Sequence, residues 1–187
     1  FAEKLTDATK LIADQEESRQ ALVAKCGENV NIRRLTFVEG QTVGSYMHGH
    51  RIGVLVALDG GSHELARDVA MHIAASNPQF LDSTEVSSEA IEKEKEIFLA
   101  LNADKIAGKP ENIVANMIKG RISKFTSENS LLDQPFVKNP DVKIGALVKD
   151  SGAKIISFVR YEVGEGIEKA EDDFASEVAA QVAASKK

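Results

Sequence analysis

Val43-Gly44-Ser45-Tyr46-Met47-His48-Gly49-His50-Arg51-Ile52-Gly53-Val54-Leu55-Val56-Ala57-Leu58 is the stretch whose reading decides the fold. Its halves are rich in β-branched, aromatic and aliphatic residues, and Gly49 falls between them, so Val43 to His48 and Arg51 to Leu58 read as neighbouring strands. Upstream, Asn31 to Glu39 has the same strand-favouring composition and is set off by the Glu39-Gly40-Gln41 turn. The three are expected to form an antiparallel meander. Downstream, Asp59-Gly60-Gly61 ends the strand and Ser62 is placed as an N-cap. Leu65, Val69, Ala70 and Ile73 then recur at helical spacing until Asn77-Pro78 stops the helix. Phe1 to Lys25 is helix-favouring, with Gly27 as its stop.

The middle of the chain has a different character. Ser88 to Ala107 reads as a charged helix in which Glu92-Lys93-Glu94-Lys95-Glu96 faces water, while Ile91, Phe98 and Leu101 mark a narrow apolar stripe. Gly108-Lys109-Pro110 ends it and starts the next helix, Glu111 to Phe125, with Val114, Met117, Ile118 and Phe125 on one face. Two helices joined so tightly form an antiparallel hairpin. After a Gln134-Pro135-Phe136 loop, Lys143 to Asp150 reads as a short helix and Lys154 to Val163 as an alternating strand. That strand is expected to complete the sheet begun before the hairpin, which makes the hairpin an insertion. Beyond Gly164-Glu165-Gly166, the residues Ile167, Ala170, Phe174, Val178 and Val182 mark an amphipathic terminal helix.

Composition narrows the function classes. A chain of 187 residues with 43% hydrophobic and 28% charged residues has enough apolar material for a core, since a compact domain near this size buries roughly 70% of its unfolded surface. The 23 Lys and Arg are dispersed and the net charge is -6, so direct nucleic-acid binding is not expected. The apolar run Ile52 to Leu58 is too short for a bilayer, so no membrane association is expected. One cysteine, Cys26, excludes an internal disulfide and fits a reducing compartment. The chain opens on Phe1 inside a helical pattern, from which further residues upstream are expected.

Candidate chemistry is sparse. His48 and His50 lie two apart and would share a strand face, with His63 or His72 as a third ligand, but the spacing matches no established zinc motif. They read as ordinary loop and core histidines, and neither a metal nor a cofactor is expected. Cys26 sits beside Gly27 without a nucleophile elbow and reads as a small residue filling a core gap. Gly60-Gly61 lies where a strand meets a helix N-terminus but lacks a phosphate-loop pattern, so it reads as a turn. The physics alone describes an α+β binding protein, not an enzyme with its own chemistry.

A resemblance supplies the partner. Gly27-Glu28-Asn29-Val30-Asn31-Ile32-Arg33-Arg34 and Gly44 to Val56 resemble signature stretches of the elongation factor Ts family. So do Ala70-Met71-His72-Ile73-Ala74-Ala75, Gln134-Pro135-Phe136-Val137 and Arg160-Tyr161-Glu162-Val163-Gly164-Glu165-Gly166-Ile167-Glu168-Lys169. The likeness runs in order from about Ala21 to the end.

It implies antiparallel sheets packed with helices, a hairpin that serves as a coiled-coil dimerisation module, and a C-terminal helical module. The expected divisions are 1–27 as the remainder of a first core subdomain, 28–85 with 133–165 as the second, 86–132 as the hairpin, and 166–187 as the terminal module. The implied activity is guanine-nucleotide exchange, in which the protein binds elongation factor Tu in the bacterial cytoplasm and promotes GDP release. The alternative is a scaffold or dimerisation fragment that holds Tu without efficient exchange. The implied partner-binding residues are Tyr46, Met47, His48, Gly49 and Arg51, with Ile167, Phe174 and Val178 of the terminal helix. The family's Thr-Asp-Phe-Val motif, whose Asp and Phe wedge into Tu near its magnesium site, does not occur in this sequence. Measurable binding with weakened exchange is therefore expected.

Overall fold

The computed structural model describes residues 8–166. The first helix, α1, spans Ala8–Cys26, and Gly27 closes it with φ +75° and an N–H that donates to the Val23 carbonyl at 2.9 Å. Strands β1 (Thr42–His48) and β2 (Ile52–Asp59) pair antiparallel, with Ser45 opposite Leu55 and Tyr46 opposite Val54. Helix α2 (His63–Ser76) begins where the Ser62 hydroxyl accepts from the Leu65 N–H and ends at Asn77, in the left-handed conformation at φ 46°. Three helical segments follow: α3 (Ser88–Leu101), α4 (Ala103–Ile106) and α5 (Glu111–Asn129). A small ribbon, β3 (Pro135–Phe136) with β4 (Asn139–Lys143), precedes α6 (Ile144–Asp150) and β5 (Lys154–Glu162).

The main sheet has the order β1-β2-β5, all antiparallel. Its strands alternate. Val54, Val56 and Leu58 of β2 and Ile155 of β5 point to a buried layer formed with Leu65, Val69 and Ile73 of α2. Leu131, Phe136, Ile144 and Val148 close that core. Each fully buried aliphatic side chain there contributes about 1.5–3 kcal/mol of transfer free energy. Gly44, Ala66 and Ala70 are what let α2 lie directly on the sheet, because larger side chains would hold the two layers apart.

The hairpin is inserted between α2 and β5, as expected from the sheet being interrupted and resumed. Arg121 Nε donates to Glu94 Oε1 at 2.6 Å across α3 and α5. None of the residues of α3, α4 or α5 is buried. The hairpin is fastened at its base, where the N–H groups of Gln79 and Phe80 both donate to the Asn129 carbonyl at 2.9 and 3.1 Å. Replacing residues 88–125 with a short Gly-Ser linker is therefore expected to leave a cooperatively melting core. Thermal unfolding checks this, and loss of the cooperative transition would make the hairpin part of the core.

Five expectations are corrected. Asn31 to Glu39 is not a strand of the sheet: the meander would have set it on the outer side of β1, but among the described residues β1 pairs with β2 alone, and the segment is held by side chains instead. Arg34 stacks over the Tyr161 ring at 4.4 Å, and the Thr36 hydroxyl hydrogen-bonds the Tyr161 hydroxyl. Cys26 fills no core gap, since it is exposed at the end of α1. The charged helix does not run unbroken to Ala107: Asn102, whose side-chain amide donates to the Phe98 carbonyl at 2.9 Å, separates α3 from α4. Leu101 is 79% exposed and so lies off the seam that Ile91 and Phe98 half bury. Finally, the Gln134-Pro135-Phe136 loop contains β3, with Gln134 and Phe136 buried.

Candidate functional site

The candidate site is built at the end of the β1–β2 ribbon. Period-two alternation places Tyr46 and His48 on the face that carries α2 and Met47 on the opposite face. The Tyr46 hydroxyl lies 3.4 Å from His48 Nδ1, which links the two along the strand. Met47 is 63% exposed and its sulfur sits close over Gly53, so the thioether is held against the sheet while its far end faces solvent. Beyond His48 the chain reverses: the Arg51 N–H donates to the His48 carbonyl at 3.3 Å. Gly49 takes φ +57° at the second position of that turn, a conformation that favours glycine.

Arg51 leaves the turn with a side chain 75% exposed. Its Nη2 lies 3.4 Å from Glu162 Oε1, and its carbonyl accepts from the Val163 N–H at 2.8 Å, which ties the turn to the end of β5. Tyr46, Met47, His48, Gly49 and Arg51 are thus gathered at one end of the sheet. Ile167, Phe174 and Val178 lie outside the described residues. Along the α2 side of the site, Tyr46 opens on a groove edged by Glu64, Arg67, Asp68, Met71 and Lys138. On the other side, a second groove runs between the 28–34 segment and β5, past Met47, His50 and Arg51.

The other histidines do not converge on this place. His50 is exposed in the turn, and the His63 Nδ1 lies 3.4 Å from the Val43 carbonyl at the start of α2. His72 is fully buried. Its Nδ1 accepts from the Val137 N–H at 3.3 Å, so Nε2 carries the proton and donates to Gln134 Oε1 at 2.8 Å. Gln134 Nε2 in turn donates to the Glu128 carbonyl in the last turn of α5 at 2.6 Å. Burial pushes the imidazole below its usual pKa, against the opposing pull of the Gln134 hydrogen bond. Among the described residues, no three His, Cys, Asp or Glu side chains come together to hold a metal ion.

Sequence reasoning missed the charges beneath the turn. Arg33, Arg34, Arg160, Glu162 and Glu165 all fall inside the signature stretches, yet the sequence alone assigns none of them a place in the site. The available signal was the alternation of Arg160 and Glu162 on β5, two apart and therefore on one face.

A family model described as Elongation factor TS matches residues 2–165 of this chain. The chain belongs to the elongation factor Ts family. It is 74% identical over 186 residues to the elongation factor Ts of Azotobacter vinelandii and 75% identical to that of Pseudomonas aeruginosa strain LESB58. Against the Stutzerimonas stutzeri elongation factor Ts it is 72% identical over 187 residues. All of this chain is covered in each case, and it spans 64% of the length of the first two relatives and 65% of the third. In this member of the elongation factor Ts family the Tyr46 to Arg51 part of a signature stretch lies, mostly exposed, at the tip of the β1–β2 ribbon, where loops carried on a firm support commonly act. No helix among the described residues is long and apolar enough to cross a membrane.

Proposed function

We propose that this chain acts in the bacterial cytoplasm as a guanine-nucleotide exchange factor: it binds elongation factor Tu and promotes GDP release, with no covalent step of its own. The observation that carries the reading is the family match along residues 2–165. It is supported by the exposed turn that ends β1, where Tyr46, Met47, His48, Gly49 and Arg51 form the partner-facing group. Ile167, Phe174 and Val178 are the further residues assigned to partner binding in this reading. The hairpin serves self-association, and the exposed Leu101 and the absence of any buried residue in its helices support that role.

The mechanism is linkage. When the factor and GDP each weaken the other's hold on Tu, a coupling of about 3 kcal/mol lowers each affinity by roughly 150-fold. Only contacts that differ between nucleotide-bound and nucleotide-free Tu supply that coupling.

His48 provides the direct test of the partner-facing surface. Replacing it with alanine removes an exposed side chain from the turn, so stability changes by no more than about 0.5 kcal/mol. Binding to Tu is expected to weaken by about fivefold or more, the level at which an interface residue begins to count. Isothermal titration of Tu·GDP with the two chains decides it. A variant that melts much earlier but binds Tu normally would make His48 a structural turn residue.

A further inference from the structure

A run of alternating charges lies under the candidate site and joins three separate segments of the chain. At its centre is Arg160, on β5 opposite Val54, with its side chain only 9% exposed. Its Nη2 donates to Glu162 Oε2 at 2.8 Å, and the other oxygen of that carboxylate faces Arg51 Nη2 at 3.4 Å. In the other direction, Arg160 Nη1 lies 3.9 Å from Glu165 Oε1. Glu165 Oε2 takes Arg34 Nη2 at 3.1 Å, and the Glu165 carbonyl accepts from Arg33 Nη1 at 2.7 Å. One buried guanidinium therefore sits between two carboxylates. The first of them holds the turn, and the second holds the 33–34 segment where the chain leaves the sheet.

Stability does not account for this arrangement. Exposed ion pairs such as Arg51–Glu162 and Arg34–Glu165 contribute little, and a buried ion pair taken as a whole is often no more stabilising than apolar side chains of similar volume. Arg160 is moreover incompletely satisfied, since its Nε is buried with no hydrogen-bond acceptor among the described residues. The place of this guanidinium is better explained by what it orients. Arg51 is long and mostly solvated, so without Glu162 its guanidinium would sample many rotamers, and any partner would have to order it on binding.

We propose that Arg160 is a positioning residue for partner binding: it fixes the Glu162 carboxylate and, through it, the Arg51 guanidinium at the rim of the turn. The proposal rests on the reading that this turn contacts elongation factor Tu. Preorganisation of this kind makes a specific prediction, because Arg160 and Glu162 act only through Arg51. Their removal should therefore matter only while Arg51 is present.

The test is a set of double-mutant cycles with Tu·GDP as the probe, using Arg160→Met, Glu162→Gln and Arg51→Ala singly and in pairs with Arg51→Ala. Arg160→Met and Glu162→Gln are each expected to raise Kd about fivefold to tenfold in the otherwise unaltered chain, and less than twofold when Arg51 is already alanine. Arg160→Lys, which keeps the charge but loses the planar fork, should fall between. Glu162→Gln changes a partly exposed carboxylate and keeps its shape, so it carries the test even if Arg160→Met fails to fold. Equal losses with and without Arg51, or a Glu162→Gln chain that binds normally, would overturn the proposal while leaving the functional reading intact. Failure of the unaltered chain to bind Tu at all would remove both.

Discussion

Gly44→Val is expected to be among the most damaging single substitutions in this chain, although valine is a better strand former than glycine. A Cβ at position 44 would lie 2.5 Å from the Ala66 carbonyl carbon, 2.6 Å from the Ala66 Cβ and 2.7 Å from the Ala66 oxygen. Two of these neighbours are helix backbone, so no rotamer change relieves the clash. To reach ordinary contact near 3.5–4 Å, α2 would have to move off β1 by about 1 Å. That movement would open the layer in which Ala66, Val69, Ala70 and Ile73 are fully buried. Overpacking of this kind costs about 1–3 kcal/mol and sometimes more, which outweighs the roughly 0.4–1 kcal/mol gained by stiffening the unfolded chain. We expect a loss of about 3 kcal/mol or more for valine, read as a lower urea midpoint. Gly120→Ala is the internal contrast: it lies within α5, has nothing within 4 Å of its added methyl, and should gain about 0.5–1 kcal/mol. A Gly44→Val chain as stable as the unaltered one would mean that α2 does not pack on β1 as described.

His72→Leu should be nearly as severe. Leucine fills much of the volume but leaves the buried Gln134 Oε1 and the partly buried Val137 N–H without their partner. Each unpaired group costs about 1–3 kcal/mol, so the expected loss is about 3 kcal/mol. The same histidine gives the fold an acid limit. Its pKa is lowered by burial from the ordinary value of 6.5, so in acid the unfolded chain takes up this proton before the folded one does. Its contribution is present in full above about pH 6.5 and is lost as pH falls toward the folded-state value. Urea titrations at pH 7.5 and 5.5 should show a smaller drop for His72→Leu than for the unaltered chain. An equal drop would mean that His72 titrates alike in both states.

Much of the fold is legible in the sequence because the signals are local. Val43 to Leu58 carries its own alternation and turn, and Ser62 with Asn77-Pro78 brackets α2 by capping chemistry. Lys154 to Val163 is likewise identified as the strand that resumes the sheet. What fails is information about partners. Asn31 to Glu39 has a composition suited to extended backbone, but nothing in it says that Arg34 and Thr36 hold it to Tyr161 of β5 without its pairing to the open edge of β1. β3 is two residues long and has no periodicity to read. The break at Asn102 rests on one side-chain amide.

The candidate site divides in the same way. The turn residues are visible as a contiguous stretch, whereas the contacts of Arg33 and Arg34 with Glu165 join residues more than 130 positions apart. His72 is ambiguous in principle, because a ring that accepts from one neighbour and donates to another looks, in sequence, the same as a ligand.

The central claim is that this chain loosens the hold of elongation factor Tu on its nucleotide. Stopped-flow release of a fluorescent GDP analogue from Tu, followed at increasing concentrations of the 187-residue chain, tests it most directly. The proposed exchange activity predicts a release rate that rises above the spontaneous one with the concentration of the chain and saturates. A release rate that stays at the spontaneous value while titration shows the chain bound to Tu would contradict it.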